Sequence, residues 1–318
     1  MPGVSARSVD VARELFSGAP MVLDGGLGTL LERRGNGLDS ELWSARLLAE
    51  RPEEIVAAHL DFFAAGARVA TACSYQATFE GFERIGIDNA ETERLLRRSV
   101  SLAREAAARA DASVGDAGIG RRVIAASVGP YGAMLADGSE YRGDYGLSVR
   151  ELGRWHRRRM EVLADSGADL LAIETIPSIA ETEAVVAEAD RLGVPAWVAV
   201  STHGGRLRSG EPIEEALRIA ASAGCIVAAG INCSAPAEVL PAIRIAKTAG
   251  VGSVIAYPNS GESWDAAARR WTGEPRFDDA LVGAWLAAGL SAVGGCCRVT
   301  PAHIASLARA VDRSVGAG

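Results

Sequence analysis

Eight short β-rich runs, a helical pattern behind each of them, and the absence of apolar/polar alternation inside the runs together predict an α/β protein of the (β/α)8 TIM-type barrel class. Strands of a parallel sheet are covered on both faces, so they read as continuous apolar stretches. The runs are MVLDGG at 21–26, RVATACSY at 68–75, RVIAASVG at 122–129, DLLAIETI at 169–176, PAWVAVST at 195–202, IVAAGINC at 226–233, SVIAYPN at 253–259 and LSAVGGCC at 290–297. The first helix opens with Pro52 at a first-turn position, carries Glu53 and Glu54 beside the positive end of the helix dipole, and stops at Gly66. Further helical patterns occupy 90–110, 148–166, 179–192, 212–223, 236–249, 277–288 and 300–313. An open, doubly wound sheet is the competing reading. No low-complexity linker divides the chain, so residues 1–318 read as one domain.

Composition narrows the class of function. At 48% hydrophobic and 23% charged residues, the chain can bury a sizeable core. The net charge of -7 and the scattered arginines exclude a nucleic-acid footprint. The one basic cluster, RWHRRRM at 154–160, reads as the solvated face of a helix. The first twenty residues mix charge with apolar side chains, unlike a signal peptide, and nothing approaches the roughly 18 apolar residues of a membrane span. A cytoplasmic protein with reduced thiols is expected. Its five cysteines, an odd number, argue against a full disulfide framework and leave core packing, metal ligation or catalysis.

A barrel gathers the C-terminal ends of its strands around one mouth, where ligands bind. The last residues of the runs there are Asp24, Glu174, Asn232, Cys233, Cys296 and Cys297. Three thiolates with one open position form a catalytic arrangement for zinc, which is soft enough for sulfur and prefers four ligands. Adjacent cysteines would close a strained ring if they bonded to each other. Both can ligate instead if the backbone kinks, and Gly294 and Gly295 supply freedom for a kink. Cys73 and Cys225 read as buried small hydrophobes, His203 as loop structure, and His59, His156 and His303 as ordinary helix residues. The long segments 131–146 and 260–277 on the ligand side are candidate lids.

With these motifs in view, LDGGLGT, LWSARLL, SYQATFEGF, ASVGPYGAMLADGSEYRGDY, AIETIP, GINCS, YPNSGE and GGCCRVTPAHI resemble the homocysteine S-methyltransferases over residues 20–310, most closely the branch that uses S-methylmethionine. The resemblance implies a zinc ion on Cys233, Cys296 and Cys297, the amino group of homocysteine on Asp24 and Glu174, and its carboxylate on the amides of Gly25 and Gly26. Asn232 of GINCS and Gln76 of SYQATFEGF join the expected substrate-binding set. A cationic donor binds well over aromatic faces, which makes Trp43, Tyr75 and Trp264 candidates for its pocket. The fifth-strand loop STHGGRLRSGE departs from the family pattern on the donor side.

The implied chemistry is thiolate attack on a sulfonium methyl. A free thiol of pKa about 8.5 is mostly protonated at neutral pH, and closing that gap by metal binding is worth about 2 kcal/mol. Orientation contributes more, because holding sulfur within about 3–3.5 Å of the methyl carbon makes the encounter nearly unimolecular. S-adenosylmethionine and betaine are the alternative donors. A zinc hydrolase and a non-catalytic zinc–thiolate redox sensor are the rival readings. The chain lacks the long C-terminal extension with which betaine enzymes assemble, so a monomer is expected.

Overall fold

The computed structural model describes residues 6–37, 43–114, 121–265, 270–273 and 279–316. Eight parallel strands surround one axis: β1 (Met21–Val22), β2 (Val69–Thr71), β3 (Val123–Val128), β4 (Leu170–Ile176), β5 (Ala196–His203), β6 (Ile226–Asn232), β7 (Val254–Tyr257) and β8 (Ala292–Val293). Their ladder runs β1-β8-β7-β6-β5-β4-β3-β2. Across the remaining seam the Arg68 N–H donates to the Val22 carbonyl at 2.8 Å, so the barrel is nearly closed. A helix follows each strand: α1 (Pro52–Ala64), α2 (Asn89–Val114), α3 (Val149–Ala164), α4 (Ile179–Leu192), α5 (Ile213–Ser222), α6 (Val239–Thr248), α7 (Asp279–Ala287) and α8 (Pro301–Gly316). The nearly closed barrel excludes the doubly wound sheet. Among the described residues no helix is long and apolar enough to cross a membrane.

Seven of the eight runs contain their strands, β5 extending one residue past its run to His203, yet β1, β2, β7 and β8 end two to four residues before their runs do. There the chain leaves the ladder to build the mouth. Asp24, Cys296 and Cys297 therefore lie beyond their strands, in segments free to turn.

The two-residue period of a strand sorts side chains into two cores. Leu170 and Ala172 of β4, Trp197 and Ala199 of β5, and Val123 and Ala125 of β3 fill the barrel interior. Their neighbours Leu171, Ile173, Val198, Val200, Ile124 and Ala126 pack outward against the helices. Continuing the inward register upward brings Ser127, Glu174 and Ser201 to the mouth.

A helix at Ala6–Glu14 precedes the barrel, and Ala12 and Phe16 join the interior cluster from below. The Phe16 ring meets Trp197 edge-on at 6.3 Å, and burying it is worth about 2 kcal/mol. Trp197 Nε1 donates to the Tyr257 hydroxyl at 3.1 Å, which ties this plug to the upper layers of the barrel.

Helix α3 corrects two expectations. Its N-terminus is a capping box between Ser148 and Glu151. Arg154, Arg157 and Arg158 face solvent, but Arg159 is only 2% exposed and donates to the Gly129 carbonyl at 2.5 Å and to His156 Nδ1 at 3.0 Å. His156, also buried, bonds Glu181 at 2.9 Å. The basic cluster is thus half solvated face and half buried brace, because the helical period turns His156 and Arg159 toward the sheet.

Gly230 in β6 lies so near the neighbouring strand that a Cβ would overlap the Ile255 carbonyl oxygen, whereas Gly283 in α7 is exposed with open space around it. Opposite effects are expected in urea melts. Gly230→Ala should destabilise by about 1–3 kcal/mol or more, and Gly283→Ala should stabilise by about 0.5–1 kcal/mol. Equal midpoints for the two variants would contradict this packing.

Candidate metal centre and substrate pocket

Cys233, Cys296 and Cys297 converge as the sequence predicts, with their sulfur atoms all within 4.8 Å of one another. Cys233 follows β6 immediately, in the left-handed region with φ 46°, and its amide donates to the Tyr257 carbonyl at 3.3 Å. Cys296 and Cys297 occupy a turn past β8. The Cys296 N–H donates to the Pro258 carbonyl at 2.8 Å and the Cys297 N–H to Asn259 Oδ1 at 3.1 Å. The turn then reverses at Arg298, φ 68°, whose guanidinium pairs with Glu262 at 2.8 Å.

The role of the double glycine differs from the expected one. Neither Gly294 nor Gly295 adopts a positive φ; what each supplies is space. A Cβ on Gly294 would sit 2.6 Å from Leu23 Cβ, and one on Gly295 would overlap the Val299 side chain.

Sγ of Cys233 is in bonding contact with that of Cys296, as in an intrachain disulfide, and 3.9 Å from that of Cys297, which stays a free thiol. Disulfide and metal site are alternative uses of the same atoms. When reduced, the three offer only soft sulfur donors. Tetrahedral zinc with bonds of about 2.3 Å keeps its sulfurs about 3.8 Å apart, the spacing between Cys233 and Cys297. Burial pushes the Cys297 thiol up to about 11, so it needs a cation beside it to ionise at neutral pH. The residues present fit a zinc ion. Cys73 and Cys225 are buried elsewhere, and His203 is exposed at the end of β5.

Asp24 and Glu174 are both buried beside this cluster. Asp24 accepts from the Thr71 amide at 2.6 Å and the Thr71 hydroxyl at 2.8 Å. Glu174 accepts from the hydroxyls of Ser127 and Tyr257. Burial pushes both carboxyls up to about 7, and Glu174 adds to the rise at Asp24. Neither forms an ion pair with an Arg, Lys or His among the described residues. Two buried acids without a counter-ion favour a cationic ligand.

The remaining candidates divide. Gly26 N–H already donates to the Val299 carbonyl at 2.9 Å, whereas the Gly25 amide has no protein acceptor among the described residues. Asn232 is occupied as a brace: its Oδ1 accepts the Thr175 amide at 2.7 Å and its Nδ2 donates to the Thr175 hydroxyl at 2.8 Å. Thr175 needs this support, since its φ of 61° is strained for a β-branched residue by about 1–3 kcal/mol. The strained residue follows Glu174 directly and aims it. Tyr75 is half-buried at the same mouth, hydrogen-bonded to Thr175. Gln76 is half-buried with its Oε1 unpartnered. The side chains of Trp43 and Trp264 lie outside the described residues.

Three contributors escaped the sequence reading. The Tyr141 hydroxyl hydrogen-bonds the Cys297 thiol from the candidate lid at 131–146. Arg208 donates to the Cys233 carbonyl at 3.1 Å from the fifth-strand loop. Tyr257 links Glu174 to Trp197. Ordinary composition hides all three, and only tertiary contacts reveal them.

Known proteins match over nearly the whole barrel. The family model for Homocysteine S-methyltransferase matches residues 21–311. Homocysteine S-methyltransferase 4 of Zea mays is 44% identical over 93% of this chain and 90% of its own length. Homocysteine S-methyltransferase of Escherichia coli is 44% identical, over 90% of this chain and 94% of its own. The crystal structure of the Escherichia coli homocysteine methyltransferase MmuM in its metallated form superposes with a TM-score of 0.83 at 40% identity, covering 93% of this chain and 98% of that one. An oxidized form of the same protein superposes equally well. With the matched span enclosing Asp24, Glu174 and all three clustered cysteines, the chain belongs to the homocysteine S-methyltransferase family.

Proposed function

We propose that this homocysteine S-methyltransferase takes its methyl group from S-methylmethionine and works with zinc held by Cys233, Cys296 and Cys297. The observation that carries the reading is the meeting of three sulfurs within 4.8 Å beside two buried carboxylates that have no counter-ion among the described residues. Bound there, zinc would keep the homocysteine sulfur as a thiolate at neutral pH. Asp24, hung from Thr71, and Glu174, hung from Ser127 and Tyr257, receive the ammonium group, and the Gly25 amide faces the carboxylate on the same carbon. Tyr75 lines the side from which the donor approaches. The thiolate lone pair forms a bond to the sulfonium methyl while the old carbon–sulfur pair returns to the donor sulfur. That sulfur leaves as a neutral thioether and requires no proton. Both sulfur products are methionine.

An all-thiolate set argues against the hydrolase, whose zinc sites use histidine or carboxylate. The buried acid pair has no function in a bare redox sensor. A reducing cytoplasm suits three free thiolates.

Reduced protein should bind about one zinc per chain, read by elemental analysis. Cys297→Ser should lose that metal and several kcal/mol of transition-state stabilisation, at least about a thousandfold in rate, with an unchanged far-UV spectrum. Full activity in the variant would remove the metal centre from the mechanism.

Methionine binding isolates the acid pair, because its thioether carries no proton. Both carboxylates must be ionised to pair with the ammonium, and with pKa values of about 7 they gain protons below that pH. Calorimetry should show affinity level above about pH 8 and falling roughly tenfold or more per unit below pH 7. Asp24→Asn should flatten that slope. A slope unchanged in the variant would assign the dependence to another group.

A further inference from the structure

Resting on the proposed donor, we infer that Arg208 is the residue that recognises the donor's α-carboxylate and so selects an amino-acid sulfonium over a simple one. Arg208 sits in the STHGGRLRSGE loop, at the end of a short hairpin in which Arg206–Leu207 pairs back on Thr202–His203. Its Nε donates to the Ser201 hydroxyl at 3.1 Å, its Nη2 to the Cys233 carbonyl at 3.1 Å, and its guanidinium lies 5.1 Å from the centre of the Tyr141 ring. Tyr141 in turn bonds the Cys297 thiol. One arginine thus touches the backbone of one sulfur ligand and the neighbour of another.

This cation has no acid of its own. Among the described residues no carboxylate comes within ion-pairing distance of Arg208, although Arg298, on the other side of Cys297, is fully paired with Glu262. Glu238 faces Arg208 from farther off and spends one oxygen on the Gly204 amide at 2.8 Å. A half-buried guanidinium with two neutral acceptors, and with Nη1 unused among the described residues, is a ready partner for a planar carboxylate.

Homocysteine does not need it. Its ammonium belongs with Asp24 and Glu174, and its carboxylate is attached to the same carbon, so both ends are held on the β1 and β4 side. Arg208 hangs instead from β5 and β6. A bare sulfonium would be repelled by the guanidinium, whereas a zwitterion presents its anionic end there and its methyl to the sulfur cluster.

The test compares S-methylmethionine with its α-amide, which keeps the sulfonium and the ammonium and lacks the carboxylate. Wild-type enzyme should favour the acid over the amide by roughly 10- to 100-fold in kcat/KM. Arg208→Gln should lose that factor with the acid, mainly through KM, keep its rate with the amide, and leave the homocysteine KM and zinc content unchanged; Arg208→Lys should recover part of it. A variant that loses equally on both donors, or whose homocysteine KM rises instead, overturns the role of Arg208 alone. Wild-type enzyme without turnover of S-methylmethionine overturns the donor reading, and this inference with it.

Discussion

Everything at the mouth of the barrel depends on how closely two backbone segments pass, the one leaving β1 and the one leaving β8. The Gly295 amide donates to the Asp24 carbonyl at 3.0 Å, and the Gly26 amide to that of Val299 at 2.9 Å. A Cβ on Gly26 would stand 2.5 Å from the Cys296 carbonyl oxygen, and one on Gly25 2.6 Å from that of Val299. Four glycines at this crossing therefore answer one steric demand. Without the crossing, Cys296 and Cys297 could not reach Cys233, and Asp24 would not stand beside the sulfur cluster. The glycine pairs in LDGG and VGGCC are two halves of one contact.

That contact explains how far the sequence could be read. Continuous apolar runs located all eight strands, because burial on both faces leaves a mark on every residue of a run. The three cysteines and two acids were legible because a barrel maps strand ends to one place. The boundaries were less so: nothing in VLDGG states that the ladder stops at Val22, since leaving it is a matter of tertiary hydrogen bonds. Tyr141 and Arg208 had no signal, each being a common residue in a loop whose neighbour lies elsewhere in the chain. His156 and Arg159 were misread for a related reason. A helical cluster of basic residues wraps around the axis, so one part faces water while another faces the sheet.

Strain and support are paired around the same mouth. Three non-glycine residues there hold left-handed backbones, Thr175, Cys233 and Arg298, and each follows or carries a functional side chain. Asn232 holds Thr175 by both ends of its amide, Arg208 holds the Cys233 carbonyl, and Glu262 holds Arg298. Conformations of this kind persist only where the surroundings over-determine them. Asn232 and Glu262 lie in the layer just behind the mouth, so a substitution in either would act through the geometry of Glu174 or of the turn that carries Cys297.

Charge sets the last constraint. Three thiolates around a divalent ion carry about one net negative charge, and two buried carboxylates add more as they ionise. Such a field attracts cations indiscriminately, including metal ions and amines that are not substrates. Burial tempers it, because carboxyls pushed up to about 7 are only partly ionised at neutral pH. A cation bound beside the pair would favour its charged form. The Arg208 guanidinium, without an ion pair among the described residues, would extend the same logic to the proposed donor. On that proposal a lone cation would be unwelcome there and a carboxylate-bearing one complementary, so the site would combine a strongly nucleophilic sulfur with selectivity for what that sulfur attacks.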